Sequence, residues 1–343
     1  MSHLAGLLQH VAVERGTLTQ QQASSALREI LEGDATDVEI ASLLTAIATR
    51  GATVDELSGF VQAMRVLSRP VPLSEQEREQ LVDTCGTGGD GRGTFNISSA
   101  AALVAAAAGA RIAKHGNRGV TSKCGSADVL QALGIPVELE PETAVACLRQ
   151  TGFMFLYAPA LHPAMKRVQP VRRALGFRTI FNLAGPLTNP AGARAQVVGV
   201  FAPTAVRLLA ETLARLDVRH AFVVHGRDGL DELTLNGLSD VAEVRGQQVR
   251  DFTLEPGELG LPPAPLHALA GGDAQENARH IESILRGEPG PRRDVVLLNA
   301  AATLVIAGIA IDFAAGVRCA ANAIDSGAGL ELLAQLRRFA QKT

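Results

Sequence analysis

Apolar residues in the first seventy positions recur every three or four residues, which is the spacing of one helix face. The first run is Ala23, Ala26, Leu27, Ile30 and Leu31, and the second is Ile40, Leu43, Leu44, Ile47 and Ala48. Capping boxes, in which side chains satisfy the first free N–H groups of a helix, occur at Thr19 with Gln22, Thr36 with Glu39, and Thr53 with Glu56. The third box begins a helix with Leu57, Phe60, Val61 and Met64, which ends before the Arg-Pro-Val-Pro connector at 69–72. The pattern predicts a small all-helical domain over residues 1–70.

After the connector, short β-rich runs alternate with helical segments. Candidate strands are 81–83, 111–113, 153–157, 196–201 and 221–224, and candidate helices are 99–108, 141–149, 206–216 and 295–309. Such alternation favours a parallel sheet with crossover helices. Residues 240–254 alternate polar and apolar positions and indicate an antiparallel excursion. We therefore predict an α/β domain with a mainly parallel central sheet over residues 73–343.

Composition excludes several function classes. The 343 residues, 47% hydrophobic and 20% charged, suit two globular domains. A net charge of −3 and an aromatic content of 3% argue against a nucleic-acid or anionic-membrane surface. Four widely spaced cysteines and an N-terminus without an apolar signal core predict unbridged thiols in the cytoplasm. The apolar stretch 295–311 contains Asn299, Thr303 and Gly308 and predicts a buried helix, since a membrane span needs about 20 apolar residues.

A glycine-rich loop at 83–99 carries the densest chemical signal. Five glycines within eight residues, from Gly86 to Gly93, allow close approach of the backbone to a ligand. Asn96 and Ser98 can cap the helix that follows, whose N-terminus favours anions, so a phosphate site is predicted. Two alternatives are a dinucleotide fingerprint and a purely structural loop. A dinucleotide fingerprint should lie immediately before its helix and should be followed by an acidic residue about 20 positions later. Here the residue at position 110 is Ala.

Three further segments follow candidate strands. Residues 114–128 place Lys114, Arg118 and Lys123 among hydroxyl residues at a strand end, where parallel sheets bind ligands. Residues 224–232 end in adjacent carboxylates, Asp231 and Glu232, which suit Mg²⁺ shared with a diphosphate or are ordinary surface acids. In residues 162–190 an arginine could bind a substrate carboxylate through two hydrogen bonds, although a structural salt bridge would explain the same residue equally well.

Together these segments resemble the anthranilate phosphoribosyltransferases, a family of tryptophan biosynthesis that joins anthranilate to phosphoribosyl diphosphate and releases diphosphate. The resemblance extends to residues 271–278, 298–301 and 325–327, and so covers nearly the whole chain. It implies a small helical domain joined to a larger α/β domain, with a segment near 163–185 joining the helical domain in space. It also implies a homodimer, whereas nothing in the sequence supports association with anthranilate synthase.

The resemblance implies a set of site residues. For phosphoribosyl diphosphate the set is Gly86, Gly89, Asp90, Thr94, Asn96, Ile97, Ser98, Ser99, Lys114, His115, Gly116, Asn117, Arg118, Gly119, Val120, Thr121, Ser122 and Ser126. Anthranilate is assigned to Gly86, Asn117 and Arg172, and Mg²⁺, the implied cofactor, to Ser98, Asp231 and Glu232. His115 and Pro186 are implied to line the anthranilate channel. Ser99 stands where Thr is usual in the family and Thr121 where Ser is frequent, and both keep the hydroxyl.

The implied reaction displaces diphosphate with a weakly basic aromatic amine. We expect the leaving group to depart first, through an oxocarbenium-like state with inversion at C1, while Mg²⁺, Lys114 and loop N–H groups neutralise the diphosphate. A strong general base is not required; His115 and Lys114 are the candidates for any direct catalytic role. Two alternatives on the same fold are a non-catalytic nucleic-acid-binding relative, which would need a basic face, and a pyrimidine nucleoside phosphorylase.

Overall fold

The computed structural model describes residues 3–119 and 123–341, apart from the side chain of His3. Three residues expected to bind substrate, Val120, Thr121 and Ser122, lie outside this part of the chain.

The N-terminal segment is helical, as predicted. It comprises α1 (His3–Leu8), which continues as a π-helix (Gln9–Val13), α2 (Gln20–Glu32), α3 (Asp37–Arg50) and α4 (Val54–Val66). All three predicted capping boxes form. At the third, Glu56 is fully buried, and its Oε1 also accepts hydrogen bonds from the Leu18 amide at 3.0 Å and the Arg50 guanidinium at 2.6 Å. This cap therefore also ties α4 to the chain before α2 and to the end of α3.

Seven strands form one sheet in the order β3-β2-β1-β4-β5-β6-β7. Their bounds are β1 Leu81–Thr84, β2 Arg111–Gly116, β3 Phe153–Tyr157, β4 Ala195–Gly199, β5 His220–Gly226, β6 Ser239–Arg245 and β7 Gln248–Leu254. The first five strands run parallel, and β5, β6 and β7 pair antiparallel. Both the mainly parallel sheet and the antiparallel excursion are thus confirmed. The strand order reverses direction at β1, and parallel sheets bind ligands at such switch points, beyond the carboxyl ends of the strands.

The remaining helices cover the sheet. They are α5 Glu75–Gln80, α6 Ile97–Ala107, α7 Ser126–Ala132, α8 Pro141–Thr151, α9 Ala158–Leu161, α10 Gln169–Leu175, α11 Ile180–Ala184, α12 Pro203–Arg215, α13 Ala274–Leu285, α14 Pro291–Ile306, α15 Phe313–Asp325 and α16 Ala328–Ala340. Helix α14, the most apolar segment, is buried along most of its length, as expected. In the described part of the chain no helix combines the length and apolar character that crossing a membrane requires.

Two large apolar clusters lie on opposite faces of the sheet. One packs α6 and α14 against alternate residues of β1, β2, β4 and β5. The other joins α1 to α4 with α11, α12 and the opposite residues of β4 and β5. Within it the Phe60 and Phe181 ring centroids are 5.5 Å apart, so α4 packs directly on α11. The helical segment is therefore anchored through residues near 180, beside the carboxyl ends of the strands.

Candidate active site

The glycine-rich loop follows β1 and lies at the switch point of the sheet. Gly88, Gly89, Gly91 and Gly93 all have left-handed φ values, between 64° and 77°, which side-chain-bearing residues rarely adopt. Thr87 anchors the start of the loop, because its amide donates to the Gly199 carbonyl at 2.8 Å. The loop end is held by Phe95, whose amide donates to the Leu269 carbonyl at 3.0 Å. The loop is thus fixed at both ends.

Three acidic residues, Asp90, Asp231 and Glu232, lie near one another beside this loop. The Asp231 amide donates to Asp90 Oδ2 at 3.4 Å, and the Ser98 amide donates to Glu232 Oε1 at 3.1 Å. Burial raises the pKa of Glu232 to about 7, and the charge of Asp90 adds to the rise while that of Lys114 opposes it. Burial and the neighbouring charges of Glu232 and Asp90 also raise the pKa of Asp231 well above its usual range. Such a cluster is electrostatically unfavourable alone and is suited to a hard divalent cation.

The cap of α6 corrects one expectation. Asn96 occupies the N-cap position, but its side chain makes no capping hydrogen bond, and Ser98 lies inside the helix. The Asn96 amide group instead bonds the Cys124 carbonyl at 3.3 Å and accepts from Asn277 Nδ2 at 3.0 Å. The Glu232 carboxylate accepts the hydrogen bond of the Ser98 amide. The capping carboxylate therefore comes from the segment that follows β5, 134 residues away in sequence, which no local pattern indicates.

Lys114 lies on β2 and is only 2% exposed. Its ammonium donates to Thr84 Oγ1 and Ser98 Oγ at 3.2 Å each, and to the Thr84 carbonyl. Burial lowers the pKa of Lys114, against the opposing charges of Asp83 and Glu232. The structure thus brings Lys114 together with Ser98 and Glu232, and places a buried cation behind the helix N-terminus.

Other loop residues predicted to contact the substrate take different positions. Thr94 forms an isolated bridge with Ala270, Ile97 is in the core, and the buried Ser99 hydroxyl has no hydrogen-bond partner among the described residues. The Arg118 guanidinium pairs with Asp128 at 3.1 Å and Glu138 at 2.8 Å. Arg118 is therefore already engaged in ion pairs, and its substrate role, like those of Thr94, Ile97 and Ser99, stays a prediction.

The residues after β2 form a compact turn. The Ser126 hydroxyl donates to the Asn117 carbonyl at 3.3 Å, and Asp128 accepts from the Gly119 and Gly125 amides at 2.8 and 2.9 Å. A Cβ on Gly116 would collide with the Ser126 hydroxyl and the Phe155 ring. This packing holds Asn117 at the strand end, near the loop expected to bind substrate.

The opposite face of β1 and β2 carries Asp83 and His115, because successive residues of a strand point to opposite sides. The His115 amide donates to Asp83 Oδ1 at 3.1 Å, and burial raises the pKa of Asp83 to about 6. The His115 ring lies 5.2 Å from that of His162, and burial lowers the pKa of His115 well below its usual value. His115 is therefore neutral near pH 7, which suits orientation better than proton donation.

Arg172 extends from α10 and stacks on Phe181, with its guanidinium 5.2 Å from the ring centroid. It is half-buried, and burial lowers its pKa. Within the described residues no carboxylate forms an ion pair with it, so its charge is available to an anionic substrate. Pro186, predicted beside the same channel, is buried and its carbonyl accepts from Gln196 Nε2.

Several residues that shape the site were missed from sequence. Asn299 accepts from the Leu233 amide at 3.1 Å and donates to the Leu233 carbonyl at 3.0 Å, which fixes the chain next to Glu232. A Cβ on Gly199 would overlap the Asp231 carbonyl. Arg178 Nη2 donates to the Gly89 carbonyl, and its guanidinium lies 3.8 Å from the Phe201 ring centroid. Asn277 and Asn299 lie in segments that carry the family resemblance, but nothing local revealed their roles.

A helical domain beside a parallel sheet, with a glycine loop and a carboxylate cluster at the switch point, defines a class of glycosyl transferases. Residues 78–330 match the α/β domain of a glycosyl transferase family, and residues 6–68 match the helical bundle domain of the same family. The chain is therefore a two-part glycosyltransferase.

More specific relatives narrow the class. The chain is 52% identical over 322 residues to the anthranilate phosphoribosyltransferase of Pelotomaculum thermopropionicum, covering 94% of this chain and 92% of that one. It is 49% identical over 339 residues to that of Symbiobacterium thermophilum, covering 99% and 98%. The crystal structure of the enzyme from Thermus thermophilus superposes with a TM-score of 0.92 at 42% identity, covering 99% and 100% of the two chains. A Saccharomyces cerevisiae enzyme in complex with PRPP and Mg has a TM-score of 0.89 at 28% identity, covering 99% and 98%.

The chain belongs to the anthranilate phosphoribosyltransferase family. These relatives do not favour the nucleic-acid-binding or nucleoside phosphorylase alternatives.

Proposed function

We propose that this enzyme transfers the 5-phosphoribosyl group of phosphoribosyl diphosphate to the amine of anthranilate, with release of diphosphate. The observation that carries the proposal is the meeting of Asp90, Asp231 and Glu232 with the glycine loop and the start of α6. Helix N-termini and loop amides favour phosphate groups, and adjacent carboxylates favour Mg²⁺. A diphosphate with its bound Mg²⁺ satisfies both sets of groups at once.

The residues present fit a magnesium ion. Asp231 and Glu232 supply hard oxygen ligands, and the Ser98 hydroxyl lies beside them. Burial is the main cause of the raised carboxyl pKa values and the repulsion from Asp90 adds to it, so a bound cation would relieve that repulsion. When bound, Mg²⁺ would neutralise charge that develops on the departing diphosphate. Lys114 donates a hydrogen bond to the Ser98 hydroxyl. We propose that these two groups face the diphosphate and help to neutralise its charge.

Anthranilate is a carboxylate beside an aromatic amine, and Arg172 offers a guanidinium that no described carboxylate neutralises. Arginine binds carboxylates through two parallel hydrogen bonds, so Arg172 would fix the orientation of the amine. Asn117 and Gly86 are proposed to complete this subsite. The neutral His115 and Pro186 would line its channel, and catalysis then rests on placement and charge rather than on a strong base.

Further parts of the proposal concern organisation. We propose domains at 1–70 and 73–343, with 163–185 joined to the helical domain; support comes from the Phe60–Phe181 contact. The homodimer is proposed from the family resemblance. A cytoplasmic location is proposed because no cysteine in the described residues forms a disulfide bond. Nucleic acid and membrane are not proposed as partners, in keeping with the net charge of −3.

A fluorescence assay tests the reaction. With Mg²⁺ and phosphoribosyl diphosphate present, the fluorescence of free anthranilate should fall as product forms. Replacing both acids, Asp231→Asn with Glu232→Gln, should abolish turnover, whereas Asp251→Asn, an exposed acid on β7, should not. Undiminished anthranilate fluorescence with the folded wild-type enzyme would overturn the proposal, and full activity in the double variant would remove the acids from the metal site.

A further inference from the structure

Arg178 is an exposed arginine in the short segment between α10 and α11 that bonds the glycine loop. Its Nη2 donates to the Gly89 carbonyl, and its guanidinium stacks on Phe201 at 3.8 Å from the ring centroid. The described residues place no carboxylate in an ion pair with it. The close contact with the Phe201 ring restricts the guanidinium and so favours its hydrogen bond to the loop.

Arg178 bonds the loop at Gly89, next to the Gly88 amide, which donates to the Asp231 carboxylate. Gly89 has φ +77°, and a Cβ there would lie 3.4 Å from Arg178 Nη2. Glycine residues allow many loop conformations, so an external donor that fixes one carbonyl also selects where the neighbouring amides point. The next residue is Asp90, whose carboxylate receives the Arg92 amide at 3.0 Å.

The same segment reaches the other subsite. Two residues after Arg178, α11 begins, and its Phe181 packs against Phe60 of α4 and under the guanidinium of Arg172. A single stretch of about ten residues therefore connects the glycine loop to the helical domain and to the proposed anthranilate carboxylate site. The covalent chain and two arginine–phenylalanine contacts therefore join the two proposed subsites.

We propose that Arg178 is a positioning residue that holds the glycine loop in its binding conformation and couples phosphoribosyl diphosphate binding to anthranilate binding. The inference rests on the proposed function for the identity of the two ligands. It assigns Arg178 no contact with either substrate: the guanidinium acts through the Gly89 carbonyl, and Phe201 acts through the guanidinium.

Three variants test the coupling. Arg178→Ala removes the donor, Phe201→Leu removes the stacking face while leaving the Phe201 amide on Thr87, and Arg173→Ala removes an exposed arginine from the same segment as a matched control. We expect the KM for phosphoribosyl diphosphate to rise roughly tenfold in Arg178→Ala, the effect of losing one hydrogen bond to a charged donor. Phe201→Leu should give a smaller rise, and Arg173→Ala none.

Amide hydrogen exchange provides a readout independent of turnover. Without ligands, amides 86–95 should exchange faster in Arg178→Ala and Phe201→Leu than in wild type or Arg173→Ala. Saturating phosphoribosyl diphosphate should tighten anthranilate binding in wild type and much less in Arg178→Ala. Unchanged exchange with an unchanged KM, or full coupling in Arg178→Ala, would overturn the inference. If wild type fails to use phosphoribosyl diphosphate, the proposed function fails instead, while the exchange comparison still decides whether Arg178 holds the loop.

Discussion

Glu232→Gln is expected to make the metal-free enzyme more stable and inactive. The Glu232 carboxylate is half-buried beside Asp231 and Asp90, and burial raises its pKa from 4.5 to about 7. Glutamine keeps the side-chain oxygen that accepts the Ser98 amide at 3.1 Å but carries no charge. The substitution therefore removes the unfavourable charge while preserving the helix-capping hydrogen bond.

The size of the stability gain in Glu232→Gln follows from the shift in the pKa of Glu232. One pKa unit corresponds to about 1.4 kcal/mol, so the rise to about 7 corresponds to an energetic penalty of about 3 kcal/mol for the ionised group. A carboxyl whose folded-state pKa exceeds its unfolded value destabilises the fold wherever the unfolded-state carboxyl is ionised, because the folded state must either keep a proton or bear the cost of the buried charge. The penalty is absent below the unfolded pKa of 4.5, grows as the pH rises, and is complete above about 7. At pH 8 the variant should melt on the order of 5 °C higher.

Scanning calorimetry in EDTA at pH 5 and pH 8 measures the gain, with Glu258→Gln at an exposed site as the control. The gain should be large at pH 8 and shrink towards zero near pH 5. Mg²⁺ should raise the Tm of wild type more than that of Glu232→Gln, because the cation neutralises the carboxylate that the variant lacks. A lower Tm for the variant at pH 8, or a gain that does not depend on pH, would refute the electrostatic reasoning.

Arg172→Lys should raise the KM for anthranilate about tenfold with little change in the KM for phosphoribosyl diphosphate, because lysine cannot form two parallel hydrogen bonds to a carboxylate. Steady-state kinetics with each substrate varied measures both constants, and an unchanged KM for anthranilate would contradict this role. Lys114→Met should keep the fold by circular dichroism but lower kcat on the order of 100-fold, since a buried positive charge beside Ser98 is lost; near-normal turnover would contradict this. Gly199→Ala should destabilise the protein by about 1–3 kcal/mol in denaturant unfolding, because the new Cβ meets the Asp231 carbonyl. A variant as stable as wild type would show that the chain at Asp231 moves aside at no cost.

The elements predicted correctly are those with local causes. The capping boxes at Thr19, Thr36 and Thr53 involve residues three positions apart, and all three form as the sequence indicates. Strand bounds shift slightly where pairing decides them: the strand expected at 196–201 is Ala195–Gly199. Asp273 and Asp312 are the N-cap residues of α13 and α15, and their side chains accept a backbone amide, so the starts of these helices also have a local cause.

The sequence predicted which segments contribute to the candidate site, but it did not predict the contacts between them. The glycine loop and the adjacent acids are visible as sequence segments, but the bond between the Ser98 amide and Glu232 spans 134 residues. The bond between Asn277 and Asn96 spans 181 residues and redirects the side chain expected to cap α6. Such pairings depend on how the strands are ordered in the sheet, which a single sequence does not specify.

Charge in the site is divided between the two faces of β1 and β2. Lys114 and Thr84 point towards α6, where their hydrogen bonds meet Ser98, whereas Asp83 and His115 point to the opposite side. Strand alternation thus separates the Lys114 cation, which we propose to face the diphosphate, from the neutral His115, which we propose to line the aromatic channel. The chemistry needs this separation, because a weakly basic amine attacks only when the leaving group is already stabilised, and a charged imidazolium would repel the cationic sugar. Under this proposal, two adjacent strand positions with opposite orientation supply electrostatic asymmetry that the reaction uses.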